Sequence, residues 1–115
     1  MLKTKRIYEK PEKSDGTRVL VDRLWPRGVK KEEALIDLWL KEAAPSLRLR
    51  QWYAHDPRRW QDFKKKYFRE LKDKNDLTKK IASMNKRHVV TLLFAAKEER
   101  MNQADALKQF IEKNY

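Results

Sequence analysis

The eleven residues Arg18 to Gly28, RVLVDRLWPRG, constrain the chain more than any other stretch. Val19, Leu20 and Val21 make an apolar, β-branched run too short for a helix and suited to a strand covered on both faces. Asp22 and Arg23 stop that run abruptly. Trp25-Pro26-Arg27-Gly28 then turns the chain, with Pro26 holding φ near its ring-locked value and biasing Trp25 away from helix. In open α/β sheets ligands collect just beyond the carboxyl ends of the strands. The sequence therefore predicts a site at this strand end before it predicts any chemistry.

A second apolar run, His88 to Ala96 (HVVTLLFAA), reads as another buried strand. Ile36 to Glu42 alternates Ile36, Leu38 and Leu40 with Asp37, Trp39 and Lys41, which favours an extended segment. Lys3 to Tyr8 reads as a short first strand at a sheet edge, where lysines are favoured. Lys10 to Thr17 is turn chemistry, with Pro11 and Ser14-Asp15-Gly16.

Helices fill the rest. Lys30 to Ala34 starts a short one, and Ser46 is placed to cap a brief helix carrying Leu47, Leu49 and Trp52. Asp56 and Pro57 open a longer helix, with Asp56 accepting from the free amides and Pro57 at the first helical position. Along it Trp60, Phe63, Tyr67 and Leu71 form one apolar stripe. Such a stripe is what burial against a sheet requires, which ranks core packing ahead of base stacking. Asp76 to Asn85 turns Leu77, Ile81 and Met84 inward. Asn102 caps a last helix whose inner face is Ala104, Ala106, Leu107, Phe110 and Ile111. The expectation is one small α/β domain over residues 1–115. Parallel central strands at about 19–23, 37–42 and 89–96 are packed by helices at about 57–72, 76–85 and 102–114, in two or three layers.

At 115 residues the chain has length for one core. Its first ten residues, MLKTKRIYEK, lack the apolar centre of a signal sequence, and no run approaches the ~18 apolar residues of a membrane span, so a cytoplasmic protein without membrane partners is expected. Without cysteine there are no disulfides, thiolate nucleophiles or Cys-held metals. The two histidines, His55 and His88, are too far apart for a helical metal pair, and no metal or other cofactor is expected. Lys and Arg outnumber Asp and Glu by 29 to 17, a formal charge of +12. That excess favours encounter with anions, from nucleotides to nucleic acids. The basic residues are nevertheless spread along the chain, as on a densely charged, heat-adapted surface.

Four blocks carry a resemblance: VLVDRLWPRGVKKEE, DLWLKEAAPS, LRQWYAHDPRRWQDFKKKYFREL and VTLLFAAKEERMNQADAL. In this order they resemble the YeaO-like branch of the domain-of-unknown-function family 488, over almost the whole chain. The resemblance implies an α/β fold and a shared polar locus, and no substrate. The family's Asp-x-Arg and Pro-Arg element after its first core strand is matched in part by Asp22, Arg23, Pro26 and Arg27. Its loop after the last core strand is matched by Ala95, Ala96, Lys97, Asn102 and Ala104. The YeaO-like pattern has a His before that Asn, where this chain has Met101. If the family's chemistry uses that imidazole, this chain either lacks the chemistry or supplies the group from His55, which matches the family's His-Asp-Pro element.

If the strands at 19–23 and 89–96 are parallel neighbours, Arg23, Arg27 and Lys97 emerge on one rim beside Asn102. Guanidinium forks and free helix amides together suit a phosphate or carboxylate. The competing reading pairs each arginine internally with Asp22, Asp37, Glu42 or Glu98. Asp22 and His55 are the catalytic candidates. A carboxylate beside cations has a lowered pKa and makes a poor base, so Asp22 is better read as a clamp on Arg23 or Arg27. His55 reads as a cap or loop residue unless it folds back over the rim. Trp25 and Trp39 either join the core or wall a pocket for a flat ligand.

No nucleophile triad, G-x-G-x-x-G or P-loop is present. The leading expectation is a protein with an anion site at the strand ends, compatible with a hydrolase or transferase acting on nucleotide-like material. Whether it is an enzyme stays open. The alternative is a nucleic-acid-binding or regulatory module using the basic surface, with Lys64-Lys65-Lys66 beside Tyr67 and Phe68. A third class is a partner protein docked through exposed tryptophans.

Overall fold

Strand β4 (Val90–Phe94), with all five residues buried, lies inside the sheet between two neighbours. The computed structural model describes residues 1–115. On one side β1 (Leu2–Arg6) runs parallel to β4, with Leu2 opposite Val90 and Arg6 opposite Phe94. On the other side β2 (Thr17–Leu20) runs parallel to β4, with Thr17 opposite Val90 and Leu20 opposite Leu93. A two-residue strand, β3 (Leu38–Trp39), completes the order β1-β4-β2-β3. The central apolar runs of the sequence are these inner strands, and the lysine-rich first segment is an edge.

An all-parallel sheet must be covered on both faces. Here the two covers differ. One face carries α2 (Leu47–Tyr53), α3 (Trp60–Lys72), α4 (Asn75–Arg87) and α5 (Gln103–Asn114). Their inward residues join Val19, Val21, Val90, Leu92 and Phe94 in the main core. The stripe Trp60, Phe63, Tyr67 and Leu71 is buried there as its spacing predicts, and so is the inner face of α5.

The other face has only the four-residue α1 (Lys31–Ala34) and irregular chain. Its apolar part is small: Ile7, Leu20, Ala34 and Leu93, with Trp25, Val29, Ile36, Trp39 and Ala95 against them. The rest is polar. The link from β1 to β2 packs against β1 and β4 without a helix of its own beyond a single 3-10 turn at Lys13–Asp15. Lys3 Nζ donates to the Ser14 carbonyl at 3.0 Å and Thr91 Oγ1 to the Asp15 carbonyl at 2.6 Å, so strand side chains satisfy the link's backbone. Asp15, only 4% exposed, accepts from Arg18 at 2.6 Å, Lys5 at 3.1 Å and the Glu12 N–H at 3.0 Å. Arg18 in turn donates to the carbonyls of Leu35 and Ala34, at 3.0 and 2.8 Å, tying down the chain that follows α1. A buried ion network thus replaces the second helical layer, and the fold has two layers.

Several boundaries depart from the sequence reading: the first strand is Leu2–Arg6, the strand expected at 89–96 is Val90–Phe94 and the helix expected at 76–85 is Asn75–Arg87. The strand expected at 37–42 pairs only over Leu38–Trp39, because β2 ends at Leu20 and the chain tightens into a 3-10 turn at Lys41–Ala43. Leu38 and Leu40 do reach the main core, while Ile36 and Trp39 lie with the opposite cluster. The strand expected at 19–23 runs from Thr17 to Leu20 instead. The helix expected at 57–72 begins as a 3-10 turn at Pro57–Arg59, capped by Asp56 through the Arg58 N–H at 3.0 Å. No helix is long and apolar enough to cross a membrane. Of the four tryptophans Trp60 is buried and Trp25, Trp39 and Trp52 are half-buried.

Candidate functional site: a cleft at the strand ends

Beyond the carboxyl ends of β1, β2 and β4 the chain leaves a cleft of about 540 Å³, within the range of small-ligand sites. Its floor is Asp22, Ala95 and Ala96 at the strand ends, with Asn102 and Gln103 at the start of α5. One wall is the turn Leu24 to Arg27, fixed by Tyr8, whose hydroxyl donates to the Arg27 carbonyl at 3.0 Å. The other wall is α2 and the connection after it, with Leu47, Arg50, Tyr53 and His55. Half of the sixteen lining residues are hydrophobic, and Leu24 and Leu47 are 69% and 55% exposed at its lips.

Asp22 does not clamp an arginine. Its Oδ2 accepts the Ala95 N–H at 2.8 Å and its Oδ1 accepts Gln103 Nε2 at 2.6 Å. Burial pushes its carboxyl up to about 6, against the lowering effect of the Ala95 hydrogen bond and the Arg50 charge. This reverses the expectation of a lowered pKa: the carboxyl is partly withdrawn from water and no cation touches it, so desolvation dominates. The internal ion pairs proposed for the arginines are absent as well. Every ion pair in the molecule belongs to Lys5, Arg18, Arg58 or Arg59, so Arg23, Arg27, Arg50 and Lys97 have none.

The expected anion-site residues separate. Arg27 and Asn102 line the cleft; Arg23 and Lys97 do not. Arg23 Nε is buried without a hydrogen-bond partner, and Lys97 is exposed on the β4–α5 connection. Asn102 lines the cleft with its amide occupied: Oδ1 accepts the Asp105 N–H at 2.9 Å and Nδ2 donates to the Glu98 carbonyl at 2.8 Å. It caps α5, as its position predicts. Trp25 lines the cleft and meets Trp39 edge-on at 5.4 Å. Trp39 faces a separate hollow with Ile36 and Leu38, its Nε1 donating to the Asp22 carbonyl at 2.8 Å.

His55 reaches the lip of the cleft. It follows Ala54, and both adopt left-handed backbone, at φ 56° and 47°. Two such residues in succession cost conformational energy. Met101 packs against the main core, and its carbonyl accepts the Tyr53 hydroxyl at 2.8 Å.

The sequence reading missed Arg50, Gln103 and Arg6. Arg50 stands three residues before buried Tyr53 and one after buried Leu49, so it is a cation at the edge of an inward stripe. Gln103 follows the cap of a helix that starts at a strand end. Arg6 carries no such signal; it donates to the Ala96 carbonyl at 2.9 Å and braces the floor from the neighbouring strand.

These features define a two-layer parallel α/β protein with an open strand-end cleft holding two unpaired guanidiniums, Arg27 and Arg50, and a half-buried carboxyl, Asp22. The chain belongs to domain-of-unknown-function family 488, in the group described as the inactive DUF488-N3 subclade, whose family model matches residues 1–115. It is 39% identical over 106 residues to the uncharacterized protein Rv3073c of Mycobacterium tuberculosis (strain H37Rv), a match covering 92% of this chain and 89% of that one. Similarity to the uncharacterized protein YeaO of Escherichia coli K12 is 38% identity over 110 residues, 96% of each chain. No solved structure matches.

Proposed function

We propose that the protein binds a small organic anion in the strand-end cleft and does not transform it. The observation that carries this reading is Arg50, a half-buried guanidinium on the cleft wall with no ion pair. A cation held partly out of water gains most from an anion that completes its hydrogen bonds. Arg27 adds a second positive charge at the rim.

Binding without turnover is favoured over a hydrolase or transferase on three grounds. Met101 replaces the imidazole of the YeaO-like pattern. Both oxygens of Asp22 are engaged by fixed donors, so a proton-transfer role would first break the contacts that close the strand ends. The description of the subclade as inactive agrees with both.

The nucleic-acid reading ranks second. Successive helical residues turn by about 100°, so Lys64-Lys65-Lys66 does not form one patch. Lys64 reaches Gln109 at 3.1 Å, whereas Lys66 lies over the Trp52 ring on another side, 5.1 Å from its centroid.

Thermal shift with wild type, Arg50→Ala and Arg27→Ala tests the proposal, using small carboxylates, nucleotides, phosphosugars and short oligonucleotides at two salt concentrations. A small anion should raise the wild-type Tm, raise it less in Arg50→Ala, and be recovered unchanged after prolonged incubation. Stabilisation by oligonucleotides alone, lost at high salt and indifferent to Arg50, would replace this reading with nonspecific nucleic-acid binding.

A further inference from the structure

The charge balance of the cleft narrows the ligand class, and this step rests on the binding reading above. The charged groups lining the cleft at pH 8 are two guanidiniums, Arg27 and Arg50, and one carboxylate, Asp22. They leave a net of one positive charge. A single negative charge neutralises that excess. A phosphate monoester, which carries close to two negative charges above pH 7, would leave uncompensated negative charge facing Asp22. An unbalanced charge in a partly dry cleft is costly.

Shape and polarity point the same way. The other half of the lining is apolar, with Leu24 and Leu47 exposed at the lips and Trp25 half-buried in the wall, backed by buried Tyr53 and Phe63. Exposed leucines flanking a cleft are covered when a ligand brings an apolar body. The floor offers few free donors for a three-oxygen head group. The Ala95 N–H and Gln103 Nε2 are taken by Asp22, and the Asn102 amide is taken by the cap of α5. Of the donors left on the lining, the half-buried Arg50 fork matches the two oxygens of a carboxylate in one plane, with Arg27 further out at the rim.

We infer that the ligand is an organic monocarboxylate with an apolar or aromatic body, its carboxylate held by Arg50 and its body lying between Leu24 and Leu47. Arg27 at the rim steers the anion inward.

Calorimetric titration at pH 8 with two probes sharing one ring system, 2-naphthoate and 2-naphthyl phosphate, separates the alternatives. The carboxylate should bind at least about tenfold tighter than the phosphate. Arg50→Ala should weaken it by about tenfold or more, the loss expected for a charged hydrogen bond. Arg50→Lys, which keeps the charge and loses the fork, should fall between, with circular dichroism confirming that both variants fold. Phosphate binding as tight or tighter would overturn the monocarboxylate class and leave the anion cleft standing. Absence of binding by either probe, or carboxylate binding indifferent to both Arg50 variants, would overturn the cleft reading itself.

Discussion

The carboxylate of Asp22 accepts the Ala95 N–H at 2.8 Å and so takes a place in the sheet that belongs to a backbone carbonyl. The last backbone rung between β2 and β4 runs from the Val21 N–H to the Leu93 carbonyl, at 3.1 Å. In a continued parallel ladder the next N–H, that of Ala95, would meet the Val21 carbonyl. Here Gln103 Nε2 takes that carbonyl at 3.0 Å and Asp22 takes the N–H. Two side chains finish the ladder while the strands part, and the parting opens the cleft.

This arrangement gives Asp22 a pH dependence of unusual sign. Its folded-state carboxyl keeps its proton up to about pH 6, whereas in the unfolded chain it ionises near the ordinary value of about 4. Between these values the folded state binds more protons, so the group's contribution to stability rises as pH falls from 6 to 4 and is least favourable above 6. Arg50 from α2 and Tyr67 from α3 are the titratable groups coupled to it. Asp22→Asn removes the titration. Its stability relative to wild type should increase by about 2 kcal/mol from pH 4 to pH 7, since each tenfold difference in proton affinity between the folded and unfolded chain is worth about 1.4 kcal/mol. Urea denaturation of both proteins across that range checks it, and a constant difference would refute the assignment.

Asp15 titrates in the opposite sense. Burial raises its carboxyl, but the Glu12 N–H, Lys5 and Arg18 more than offset this and hold it below the usual range. Its stabilisation is present above the unfolded carboxyl pKa and is lost as pH falls through the folded one. Asp15→Asn strands Arg18, itself only 4% exposed. The loss should be about 3–5 kcal/mol at neutral pH, the cost of breaking a buried pair. A loss below about 1 kcal/mol by denaturant titration, the range of a surface pair, would mean the network does not hold the second face.

The two glycines make a matched test. Gly16 has φ 64°, and a Cβ there would lie 2.2 Å from the Val89 carbonyl oxygen. That backbone contact cannot yield easily, because the same oxygen accepts the Thr17 N–H at 2.9 Å. Gly28 has φ 76° with nothing near its would-be Cβ. Gly28→Ala should therefore cost about 1 kcal/mol from backbone strain alone, whereas Gly16→Ala should cost about 3 kcal/mol or more. Equal Tm losses in the two variants would contradict the close approach.

Tyr53→Phe tests the link between the cleft wall and the β4–α5 connection. It removes one hydrogen bond, to the Met101 carbonyl, while keeping the stack on Phe63 at a centroid distance of 4.3 Å. A loss of about 1 kcal/mol is expected in denaturant unfolding. Hydrogen exchange in residues 97–103 should increase with it; unchanged exchange there would show that the hydroxyl does not anchor the connection.

The sequence by itself determined which segments are inside. Val19 to Val21, the run before Ala96, the stripe Trp60–Phe63–Tyr67–Leu71 and the caps Ser46, Asp56 and Asn102 are local signals, each read from period or from a side chain beside its own backbone. They were enough for the α/β class and for a polar locus at the strand ends. Only the tertiary structure decided how that locus is wired. Asp22 finds Ala95 and Gln103 across more than seventy residues, and Arg50 enters the cleft because α2 packs beside α3. Arg23 and Lys97, adjacent to the right strands in sequence, lie outside it. The physical reason is that burial and capping follow from local periodicity, whereas hydrogen-bond partners and desolvation depend on which distant elements come together. The same residue, Asp22, is an ordinary carboxylate in the chain and a raised one in the fold.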